Sequence, residues 1–176
     1  MDQQSFTDND FIRPLGIIGG GVEEPNSNSD QNNSYILTAE TVPAGTTAES
    51  EYGAYPYRAV DGRTNDGGFW DPKDNKGTFF IQFPRAIPLA GIQFVASNNT
   101  FTDSSFRVKI SYMMDDPSAS WKFLKEQDIM VPSQVATTES IIFEQSYYKR
   151  IKIEHSHNFN RNIRFYTHEV LIHKYI

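Results

Sequence analysis

The 176-residue chain contains no cysteine. That absence excludes disulfides, thiolate nucleophiles, zinc–cysteine sites and iron–sulfur clusters. Positive charge is also scarce, with 16 Lys and Arg against 22 Asp and Glu and a formal net charge of −6. A nucleic-acid partner normally calls for a basic face, so none is expected. No apolar run approaches the roughly 20 residues of a membrane-spanning helix, and no membrane insertion is expected. Catalytic signatures are equally thin. There is no G-x-S-x-G elbow for a serine nucleophile, and Asp103, Asp115, Asp116, Glu126 and Glu154 are scattered rather than set as an acid/base pair. The glycine run Gly19 to Gly21 lacks the Gly-Lys-Ser/Thr that completes a phosphate-binding loop. The chain is therefore expected not to be an enzyme.

Aromatic residues, by contrast, are plentiful: 13 Phe, 9 Tyr and 2 Trp make up 14% of the chain. They bury the most area per side chain, so a core is feasible despite a hydrophobic content of 38%. Residues 1–33 stand apart. "FIRPLGIIGGGVEEP" is a short apolar patch and "NSNSDQNNS" a low-complexity polar stretch, and neither keeps a helical or alternating period. The segment is expected to be an arm and linker, with Phe11, Ile12, Leu15, Ile17 and Ile18 anchoring it on other protein subunits.

From Ser34 to Ile176 the pattern is that of strands. "TFFIQF" places Phe79, Ile81 and Phe83 on one face, and "AGIQFVAS" does the same with Ile92 and Phe94. "FRVKISYMM" alternates Phe106, Val108, Ile110 and Tyr112 with Arg107, Lys109 and Ser111. "ESIIFE", "KRIKIEH" and "HEVLIHKYI" are three further candidates. Period-two runs broken by "DDPSAS" and "SNNTFTDS" predict an all-β chain, an antiparallel β-sandwich of about eight strands. No stretch has the spacing of a long amphipathic helix.

The order of these pieces resembles the discoidin family, also called the coagulation-factor C-type domain. "TAESEYGAYPYRAVDGRTNDGGFWDPKDNKGTFFIQF" follows the family's "A-S-S-E", "A-x-D-G-x-x-x-T-x-W" and "W-I-x-I-D-L" in sequence. "AIPLAGIQFVAS" resembles the strand after the proline-bearing turn, and "FRVKISYMMDDPSASWKFL" the strand ending in "S-x-D-G-x-x-W". "YYKRIKIEHSHNFNRNIRFYTHEVLIH" is similar to the closing "A-R-Y-I-R-L … E-V-x-V" hairpin. Phe79 stands where Trp is common, Gln82 replaces the usual Asp, and the family's bridging cysteines are missing. The resemblance implies a galactose-binding-like jelly roll, a fold shared with many carbohydrate-binding modules.

The loop "AVDGRTNDGGFW", Ala59 to Trp70, can be tested against several chemistries. No helix pattern follows it, so it lacks the N-terminal amides of a phosphate cradle. Counted from Asp61, the third, sixth and twelfth positions are Arg63, Asp66 and Pro72, which fail the EF-hand spacing. Two alternatives remain. Calcium could sit among backbone carbonyls (Arg63 among them) and the side chains of Asp61, Thr64 or Asp66, since it accepts six to eight oxygens. Alternatively, Asp61 caps its own turn and no ion is needed. In carbohydrate-binding relatives the loop holds a structural calcium joined by a Glu of the last strand, the place Glu169 occupies. The resemblance also puts Trp70 in the core beneath the loop, while Trp121 is expected to plug the corner after "DDPSAS".

A saccharide site needs an aromatic face and planar polar groups on loops that rigid sheets hold in place. "SNNTFTD" offers Asn98 and Phe101, and "HSHNFNRN" offers His157, Asn158, Phe159 and Arg161. Resemblance brings both loops, with "ESEYGAY", to one end of the sandwich. His155 and His157 share a strand face and could hold a metal, but no third ligand converges. The four histidines are expected at the surface or on ligand. The expected function is a non-catalytic carbohydrate-binding or adhesion module, tethered by its arm to a larger assembly such as a bacteriophage virion and contacting host-surface glycans. The alternative is a decoration or cement protein that binds neighbouring subunits and no sugar. The leading residues, "MDQQSFTDND", do not resemble a secretory signal, so the expected location is a virion or the extracellular space without one, otherwise the cytoplasm.

Overall fold

The computed structural model describes residues 37–64, 68–72, 76–114, 118–157 and 163–175. The expectations placed on the arm (Phe11, Ile12, Leu15, Ile17 and Ile18) and on Asp66, Asn158, Phe159 and Arg161 fall outside them. Eight antiparallel strands form the fold: β1 (Leu37–Thr41), β2 (Thr47–Tyr52), β3 (Lys76–Asn98), β4 (Ser104–Met113), β5 (Lys122–Val131), β6 (Ala136–Thr137), β7 (Ile141–Ser156) and β8 (Phe165–Tyr175). A 3-10 turn, Pro56–Val60, follows β2, and the described residues contain no α-helix.

The strand order is β1-β8-β3-β7-β4-β5, with β2 and β6 also on β3. Two long strands make a sandwich of it. The first part of β3 pairs with β2 and with Arg150 to Ser156 of β7, and those β7 residues pair in turn with β4. The second part of β3 pairs with β8, β6 and the beginning of β7. The β3/β7 ribbon therefore serves both layers.

This joins segments that the sequence shows as separate strands. "TFFIQF" and "AGIQFVAS" lie in one strand of 23 residues, and "ESIIFE" and "KRIKIEH" in one of 16. The proline-bearing turn expected between the first two is not a turn. The β3–β7 register breaks between Gln82 and Ile87, and exposed Pro84, which has no N–H to give, lies in that unpaired stretch. The ladder can bend at an irregularity where no hydrogen bond is missed.

The alternation reads directly into burial as far as Ile110; at the register shift between Ile110 and Ser111 the phase changes, so that Ser111 is buried and Tyr112 only half-buried, against expectation. Phe106, Val108 and Ile110 are fully buried while Arg107 and Lys109 are exposed. Phe79, Ile81, Phe83, Ile92, Phe94, Ile151 and Ile153 are likewise at 1% exposure or less, as expected. Each such side chain stabilises the fold by about 1.5–3 kcal/mol relative to exposure. Trp121 is not part of that core. It lies half-buried against Phe80, ring centroids 5.5 Å apart, with Arg150 and Lys152 both within 6 Å of its ring.

Candidate functional site

Seven termini of six strands meet at one end of the sandwich. The register sets Ser104 opposite Val131, Asn98 opposite Phe165, Lys76 and Arg107 opposite Ser156, and Tyr52 opposite Thr78. The loops leaving these points are tied to one another. The backbone of Ala54 pairs with Asp71, and Trp70 with Thr167. Asn99 Oδ1 accepts the Arg164 backbone N–H at 2.7 Å, and Ser133 N–H donates to Asp103 Oδ1. Asn98 N–H donates to the Pro132 carbonyl.

The exposed rim of this end carries aromatic and planar polar groups. Phe101 is fully exposed, as a ligand-facing aromatic requires. Asn98 does a different job from the one expected. It is 6% exposed; its Nδ2 donates to the Thr102 and Val131 carbonyls, and its Oδ1 accepts from the N–H and hydroxyl of Thr100. Its four hydrogen-bonding positions are filled, so it shapes the loop that displays Phe101. Arg164, half-exposed, lies 3.5 Å from Asp71.

Beside Ala54 is a cluster the sequence reading missed. Tyr55 and Tyr57 are more than half exposed and meet edge to face at 6.5 Å. The Arg58 guanidinium sits 4.6 Å from the Tyr55 ring centre, and among the described residues it makes no ion pair. Tyr55 takes the left-handed backbone at φ 60°, a conformation costing a non-glycine residue roughly 1–3 kcal/mol. The available signal was "YPYR", two aromatics around a proline in a turn. Arg164 gave no signal beyond its chain neighbours.

The four histidines correct the expectation of surface or ligand-bound rings: all are buried, at 2–7% exposure. His157, proposed for ligand, lies below the rim with its ring 4.9 Å from that of Phe106. His155 is enclosed by Trp70, Phe106 and Phe165, and neither ring nitrogen has a hydrogen-bond partner among the described residues. Burial pushes its pKa down to about 3, so the ring is neutral. Gly77 makes room for it: a Cβ there would lie 2.3 Å from His155 Nε2 and 2.5 Å from the Trp70 ring. Trp70 is fully buried, as expected.

The corner at Asp61 shows both alternatives in part. Asp61 Oδ1 accepts the Arg63 N–H at 3.0 Å, which is the capped turn. Glu169 lies beneath, with no exposed surface, and its Oε2 accepts the Gly62 N–H at 3.1 Å. Burial raises this carboxyl to about 7, against the pull of the loop amides. Among the described residues its buried Oε1 has no hydrogen-bond partner, so one acceptor is open to a proton or a cation. Among the described residues no three His, Asp or Glu side chains converge. The acceptor the corner offers a hard cation is Glu169 Oε1, and the Asp61 carboxylate is near enough to push the Glu169 pKa further up.

An all-antiparallel sandwich with its strand ends and loops gathered over an aromatic floor is the galactose-binding-like fold. No protein-family model matches the chain, and no curated protein does. Solved structures do match. The family 32 module of Clostridium perfringens NanJ, in complex with galactose, aligns with a TM-score of 0.58 at 17% identity over 79% of this chain and 100% of its own. The module of AlyQ, in complex with 4,5-unsaturated mannuronic acid, gives 0.56 at 18% identity over 77% and 97%. A pectin-binding module gives 0.54 at 19% identity over 77% and 91%.

Proposed function

We propose that this chain is a non-catalytic glycan-binding module that meets saccharide with the loop end of its sandwich. The observation that carries the proposal is Phe101, fully exposed on a loop whose shape Asn98 locks. A bare aromatic face on a fixed loop is costly in water and suits the C–H face of a sugar ring. Arg164, Asn99 and the Tyr55–Arg58–Tyr57 cluster supply hydroxyl partners and further stacking area around it. The neighbours in complex with galactose and with an unsaturated mannuronic acid support the same class of ligand. Other neighbouring chains join such a module to a catalytic domain, as in AlyQ with its alginate lyase domain, which supports a binding role. Asn158, Phe159 and Arg161 extend the proposed contact surface.

Two further parts belong to the proposal. The apolar patch and polar linker of residues 1–33 tether the module to a larger assembly, such as a virion contacting host glycans. Deleting them should abolish incorporation into that assembly and leave glycan binding intact. A structural calcium sits at Glu169, whose buried, unpaired Oε1 supports it. The direct test of function is a glycan array. Binding lost in Phe101→Ala and Arg164→Ala with unchanged melting supports it, and binding to no glycan refutes it.

A further inference from the structure

The opposite end of the sandwich holds a cleft of about 590 Å³ between the end of β4, the start of β5 and the first half of β7. Its volume falls within the range of small-ligand pockets. Tyr112 and Tyr148 stand at right angles, ring centres 5.2 Å apart, and Phe143 meets Tyr148 edge-on at 5.7 Å. Tyr148 is pinned by its hydroxyl, which donates to the Glu144 carbonyl at 2.7 Å. Phe123 on the rim is 61% exposed although it lies within a strand. Lys122 and Lys125 flank it, and neither makes an ion pair among the described residues. The carboxylate in the lining is that of Glu144.

These features define a ligand. Ring faces and an exposed Phe favour a flat, partly apolar partner. Two ammonium groups against the one carboxylate of Glu144 leave the described lining with net positive charge, which favours an anion at its edge. Seryl and carboxylate oxygens from Ser146 and Glu144 can accept from hydroxyl groups. We propose that this cleft is a second saccharide site, selective for a sugar ring bearing a carboxylate, with Lys122 and Lys125 facing the carboxylate and Phe123 covering the ring. It is separated from the loop end by the length of β4, so one chain engages glycan at both ends. The choice of an acidic sugar over an acidic peptide rests on the glycan-binding proposal for the loop end.

Calorimetric titration of the full chain tests this, using galacturonic-acid oligomers, neutral galactose oligomers and polyglutamate as probes. The acidic oligomers should lose about tenfold or more in affinity in Lys122→Ala/Lys125→Ala and in Phe123→Ala, with melting unchanged. Added salt should weaken the same binding. Arg164→Ala, at the other end, should leave the cleft's titration intact and weaken only the loop-end site. Absence of binding by the acidic oligomers, or binding indifferent to the cleft variants, overturns the proposal. Polyglutamate binding as well as the sugar acid overturns its ligand class. If neutral glycans fail everywhere but the acidic oligomers still depend on Lys122 and Lys125, the loop-end reading falls and the cleft stands.

Discussion

The floor and the rim of the loop end are built on opposite principles. Beneath the loops, Trp70, Phe79, Phe106, Phe165 and His155 pack at 2% exposure or less. Above them, Phe101, Tyr55 and Tyr57 stand in water, and Arg58 and Arg164 are partly exposed beside them. The floor even forgoes hydrogen bonds: His155 and the Trp70 Nε1 have no partners among the described residues. The rim has local bonds that fix loop shape and leave aromatic faces bare. On the proposed function, stability and recognition are carried by different residues, so a substitution should move one property and not the other.

The largest break comes from the floor. Phe106→Ala should cost about 3–5 kcal/mol, seen as a large fall in melting temperature. Gly77→Ala should follow at roughly 1–3 kcal/mol, because His155, Trp70 and Pro72 must all shift to admit one methyl group. The Glu169 corner gives a pH-dependent difference. Its folded pKa of about 7 exceeds the ordinary 4.5, so the folded state holds a proton that the unfolded state releases between those values. Stability from this group therefore falls as pH rises from about 4.5 to 7. His155 works oppositely: with a folded pKa near 3 against 6.5, its contribution is lost as pH falls from about 6.5. The two offset each other where the windows overlap, so Glu169→Gln is needed to expose the first. The variant should gain on the wild type as pH rises through the window. Calcium added at pH 7.5 should raise the melting temperature of the wild type alone. A melting temperature indifferent to calcium and chelator would remove the ion from the account. The smallest stability change belongs to the rim. Phe101→Ala should stay within about 0.5 kcal/mol of wild type while glycan binding drops about tenfold or more.

The floor was legible in the sequence and most of the rim was not, for a physical reason. Period two marks the inward residues of a regular strand, so Phe79, Ile81, Phe106, Val108, Ile110, Ile151 and Ile153 could be assigned to the core from alternation alone. Trp70 needed the resemblance, because no period surrounds it. The continuity of β3 and β7 was hidden by Pro84 and by polar stretches, which look like turns but lie at register breaks in bent strands. Loop side chains follow no period, and their roles depend on partners far away in the chain. Asn98 looked like a ligand contact, yet the Val131 carbonyl 33 residues away makes it structural. The histidines looked polar enough for the surface, but all four are buried, and at His155 burial suppresses the charge so that a neutral imidazole packs among rings. Tyr55, Arg58 and Arg164 became visible only when the backbone brought Ala54 to Asp71 and Asp71 to Arg164.

The central claim is that the rim at the loop end recognises saccharide while the floor merely supports it. Titrating wild type, Phe101→Ala and Arg164→Ala with the best binder from a glycan array, alongside their melting curves, tests it most directly. The account predicts affinity lost about tenfold or more in both variants with melting temperatures unchanged. Wild-type affinity in both variants, or a loss that tracks a fall in melting temperature, would contradict it.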